Sequence, residues 1–89
     1  MTNSSYSVAR SVKHLITKHI ELASRIARGQ NTWKVETLER NYHLLNTYED
    51  VIEKSIFILE EEEELNAKMI ATLKERFEEA LEHRAEKIK

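Results

Sequence analysis

Four histidines and sixteen acids are the side chains with which this 89-residue chain could do chemistry. Imidazole ligates metals and moves protons near neutral pH, and carboxylates supply oxygen ligands and general acids. The spacing of these residues argues against both uses. His14 and His19 are five residues apart, about 140° around a helix, so they cannot share a ligand. Glu39 with His43, and Glu79 with His83, stand at i,i+4, where a pair pinches a metal only weakly. The Glu-x-x-His signature of di-iron bundles is missing, because Ser11, Ile16, Arg40 and Ala80 precede the histidines by three. His-Glu-x-x-His is missing too.

The other routes to chemistry close for compositional reasons. The chain has one glycine, Gly29, so no phosphate-cradling loop or dinucleotide turn is available. It has no cysteine, hence no disulfide and no thiolate metal site. No nucleophile elbow is present. The expectation is a protein that is not an enzyme and holds no cofactor or metal. His19 falls inside an apolar helical stripe and is the histidine expected to be buried.

The elements that must carry the remaining surfaces are helices. With one glycine and no proline in the chain, the several turns of a β protein cannot be made. The fold class is all-α, in a single domain over residues 1–89. The first helix is expected over about residues 5–28, with Ser4, Ser5 or Ser7 at its start. Arg25 and Arg28 oppose the dipole in its last turn. Gly29, in left-handed conformation, is expected to end it. Its apolar residues, among them Val8, Val12, Leu15, Ile16, Ile20, Leu22, Ala23 and Ile26, form a stripe too wide for one neighbour.

A turn over 29–32 leads to a second helix over about 33–60, with Asn31 or Thr32 as its cap. Leu38, Tyr42, Leu45, Ile52, Ile56 and Leu59 follow a 3-4 spacing on one face. The remainder, about 61–88, is either a third helix or a continuation of the second. Glu60 to Glu64 repel one another at i,i+4 but favour helix intrinsically. The heptad phase of Ile56 and Leu59 passes through the glutamates to Ile70, Leu73, Phe77 and Ala80 without a slip. That phase and the absence of turn residues tip the expectation to a helical hairpin with one long, coiled-coil-like second helix, roughly 80 Å in length. A first helix of about 36 Å cannot cover it, so this form demands an oligomer. The alternative is a three-helix bundle with a corner near 62–66, favoured by the similar lengths of the three segments.

Charge is divided along the chain. Residues 1–34 carry six Lys or Arg against one acid, and residues 35–89 carry eight against fifteen. Arg10, His14, Lys18, Arg25 and Arg28 share the polar face of the first helix, interrupted only by Glu21. Such a row suits a phosphate backbone, which makes nucleic acid a candidate partner. No aromatic interleaves it, which argues against stacking on single strands. No apolar run approaches a membrane span and no leader is evident, so a cytoplasmic, membrane-free protein is expected.

The strongest surface signal is a second stripe. Leu44, Val51, Ile58 and Leu65 recur every seven residues beside the first face, with Tyr48 and Phe57 alongside. Ile56-Phe57-Ile58-Leu59 covers most of a helix circumference, so part of it must face away from the first helix. An apolar line that long marks an interface unless a folded-back third helix buries it. The reading is therefore a small helical protein-binding module (a chaperone, adaptor or inhibitor) that forms a homo-oligomer and engages another protein.

Overall fold

A helix whose apolar stripe is too wide for one neighbour has to be covered from two sides, and the first helix is. The computed structural model describes residues 2–62 and 67–88, with side chains from Ser7 to Glu61 and from Ala67 to Ile88. Among them are three helices and no strand: α1 (Thr2–Gly29), α2 (Val35–Glu62) and α3 (Ala67–Lys87). His19 of α1 meets Glu49 of α2, while Ser24 of α1 meets His83 of α3. Lys74 of α3 reaches Glu60 of α2. These pairings run α2 antiparallel to both neighbours, in an up-down-up bundle. α3 lies more on α1 than on α2.

The expected single long helix does not form. α2 ends at Glu62, α3 starts at Ala67, and the longest dimension of the molecule is 46 Å. The physical reason lies in α1. A hairpin would leave one side of its stripe in water. Folding α3 back brings Ile70, Leu73 and Ala80 into one core cluster with Ala9, Val12 and Ile16 of α1 and Ile52, Ile56 and Leu59 of α2. Burial within one chain costs no loss of translational freedom, unlike burial by a partner. Unbroken heptad phase is compatible with either form, because α3 keeps the same spacing after the reversal. The corner residues 63–66 lie outside the described residues.

The first turn differs from expectation in its chemistry. Helix α1 begins at Thr2, earlier than position 5, and includes Gly29 as its last residue. Gly29 does not adopt the left-handed conformation; glycine is required there by a close approach. A Cβ would lie 2.1 Å from Cε2 of Trp33, whose indole covers the position. The Gly29 carbonyl accepts from the backbone N–H of Thr32 at 3.0 Å and of Trp33 at 2.8 Å. The Thr32 hydroxyl also donates to it, at 3.4 Å, so it serves the end of α1 rather than the start of α2. Residue Lys34 takes the cap position of α2, its carbonyl accepting the first helical bond from Leu38. Gly29→Ala is expected to displace Trp33 from the cluster of Leu22, Ala23, Ile26 and Leu45. The cost should be about 1–3 kcal/mol, as for overpacked cores. Urea denaturation with Trp33 fluorescence checks it, and an unshifted midpoint would show that the ring is not held there.

Two apolar clusters are separated by a polar layer. The second cluster is Leu22, Ala23, Ile26 and Leu45, with Trp33, Leu38, Tyr42, Tyr48 and Ile88 against it. Between the clusters stand His19 on α1, Glu49 on α2 and Arg84 on α3. The fully buried His19 donates from Nε2 to Glu49 Oε2 at 2.8 Å, in the tautomer that places the hydrogen there. The same carboxylate oxygen accepts from Arg84 Nη1, which also donates to Asn46 Oδ1 at 2.9 Å. One acid thus ties all three helices at one level. His19 Nδ1 is buried and has no partner among the described residues.

Candidate protein-binding face

A closed bundle leaves the outer face of α2 to solvent, and among its charged residues that face carries a line of apolar side chains. Leu44, Val51 and Ile58 each precede a buried core residue, Leu45, Ile52 and Leu59, by one position. One position is about 100° of helix, enough to turn a side chain from the core into water. Leu44 and Val51 are each 42% exposed, Ile58 is 54% and Phe57 is 61% exposed. Three of these form a straight line of heptad spacing. Folding back of α3 does not cover them.

The structure divides the set grouped from the sequence. Tyr48 is half-buried, its ring packed against both core clusters, so it borders the line rather than projecting from it. Phe57 stands about 100° from Ile58, towards α3. There it lines a groove with Ile56, Glu60, Lys74 and Phe77. A second shallow hollow, lined by Asp50, Glu53 and Lys54, joins Phe57 to Ile58. Leu65 lies outside the described residues. The rim of this face is charged and its centre aliphatic.

The basic row on α1 is intact as well. Arg10, His14, Lys18, Arg25 and Arg28 are all exposed. Among the described residues only Lys18 of this set forms an ion pair, with Glu21 at 3.9 Å in its own helix. No ion pair among the described residues joins the row to α2 or α3.

The histidines take no common site. His14 and His43 are exposed, and His83 shares a hydrogen bond of 2.9 Å with Ser24 Oγ. No three His, Asp or Glu side chains among the described residues gather as a metal would need. No helix among them is long and apolar enough to cross a membrane. Sequence reasoning missed Glu49 and Arg84. An acid amid the apolar positions around Leu45, Tyr48 and Ile52 was the available signal, once His19 was placed in the core.

Comparison with protein-family models, with curated proteins and with solved structures returned no match to this chain. The functional reading therefore rests on its surfaces.

Proposed function

We propose that this chain is a non-enzymatic, cytoplasmic helical protein-binding module, of the chaperone, adaptor or inhibitor kind. It works by coiled-coil-like helix contact through the outer face of α2, with itself and with another protein. One observation carries the reading: Leu44, Val51 and Ile58 stay in water after the bundle has closed its own core. A line of aliphatic residues at heptad spacing fits the ridge of a partner helix, and exposed apolar patches with a polar rim mark interfaces. Phe57, the bulkiest of the exposed hydrophobics, is the edge anchor, since aromatics dominate interface energetics. Phe57→Ala, and separately Ile58→Ala, should weaken association by at least about 1–2 kcal/mol while helicity stays at the wild-type level. Sedimentation beside circular dichroism measures both. Variants that unfold with an unchanged association constant would place these residues in the core and remove the support.

A second reading has an observation of its own, the exposed basic row on α1. Several cations in line suit a phosphate backbone, and such binding weakens steeply with salt. Arg10→Glu with Arg28→Glu, on the side of α1 turned from α2, should abolish retention on heparin or duplex nucleic acid under this reading. The same variant should leave the α2 contact unchanged.

A further inference from the structure

The exposed line on α2 is symmetric about Val51: Leu44 lies seven residues before it and Ile58 seven after. We propose that its occupant is a second copy of this chain, packed antiparallel with Val51 close to a two-fold axis. This rests on the reading of α2 as the binding face and specifies what covers it. In that register Leu44 meets the partner's Ile58, and Val51 meets the partner's Val51. The contact is isologous and closes at two chains, as the commonest oligomers do.

The charges at the two ends of the line select this direction. One turn beyond Ile58 the α2 surface is acidic at Glu61, which is exposed; Glu60 stands about 200° from Ile58 and pairs with Lys74 of α3. Beside Leu44 it is basic. Arg40 is exposed on α2, and Arg25 is exposed on α1. The His19–Glu49 pairing fixes the level of α1 against α2, and counting back along the antiparallel helices brings Arg25 level with His43. Arg25 lies about 60° around α1 from Leu22, which packs with Leu45 of α2, so it flanks the α2 side. Arg10 is level with Ile58 but about 120° from Leu22, on the side turned away. Antiparallel packing therefore sets the acidic end of each α2 against the Arg40 and Arg25 end of the other. Parallel packing would set acid on acid and base on base, which complementary interfaces avoid.

The chain contains no cysteine, so single introduced thiols report the register directly. Under mild oxidation Val51→Cys should crosslink to a dimer, since equivalent residues near a two-fold axis approach the roughly 5.5–6 Å Cα separation of a disulfide. Leu44→Cys alone and Ile58→Cys alone should stay single chains, because their copies lie about 21 Å apart along the helices. Mixing those two variants should restore the crosslink. Self-crosslinking of Leu44→Cys would mean parallel packing and overturn the proposal, while leaving the face an interface. No crosslink from any variant or from the mixture, with helicity unchanged, would overturn the second copy as occupant. The broader reading would then be decided separately, by the effect of Phe57→Ala on a partner of different sequence.

Discussion

Ile52→Ala lowers the stability of the bundle by about 2–5 kcal/mol, whereas Val51→Ala, one residue away, leaves it within about 0.5 kcal/mol. Ile52 is fully buried in the cluster that joins all three helices. Its loss removes transfer energy and leaves a cavity that rigid helices fill only in part. A domain this small holds about 5–10 kcal/mol in total, so the variant approaches its unfolding threshold at ambient temperature. Val51 points into water in the protomer, so its truncation costs association and not folding. Denaturant titration at a concentration low enough to keep the protein monomeric measures both changes. Equal effects at the two positions would mean that Val51 is covered within the chain.

Glu49→Ala should cost about 2–3 kcal/mol, the second largest effect. It removes the acceptor shared by His19 and Arg84. His19 is then buried with neither ring nitrogen bonded, because Nδ1 already lacks a partner among the described residues. Leaving a buried polar group unpaired costs about 1–3 kcal/mol. The Arg84 contribution is smaller than that of a fully buried pair, since both it and Glu49 keep some solvent contact. Replacing His19, Glu49 and Arg84 together by leucine should recover the loss, because filling a polar layer with apolar side chains of similar volume is often neutral or stabilising. What the triple variant should lose is uniqueness of register, seen as broader amide resonances. A triple variant as unstable as Glu49→Ala would show that the layer contributes net stability, not alignment.

Much of this architecture is written in local spacing. Helix α1, the turn at Gly29 and the core positions Leu45, Ile52, Ile56 and Leu59 follow from periodicity and from the scarcity of glycine. The same spacing shows that Leu44, Val51 and Ile58 lie off the core face. The reversal between Glu62 and Ala67 is not legible that way. Ile70, Leu73 and Ala80 keep heptad phase with Leu59 whether the helix continues or turns back, and the choice is made by burial against α1, a long-range contact. The role of Gly29 is similar: backbone rules suggest a left-handed residue, but the position is decided by the Trp33 ring four residues on. Glu49 and Arg84, 35 residues apart, read as ordinary surface charges until three helices bring them to the level of His19.

The most direct measurement follows the methyl resonances of the paired positions on α2 through a concentration series. With Leu, Val and Ile methyls labelled, raising the protein concentration through the micromolar range should shift Leu44, Val51 and Ile58. Leu45, Ile52 and Leu59 should stay in place, since the core is complete in the single chain. Spectra independent of concentration, or shifts that appear in the core set while the outer set stays still, would contradict the assignment of this face as the one that binds.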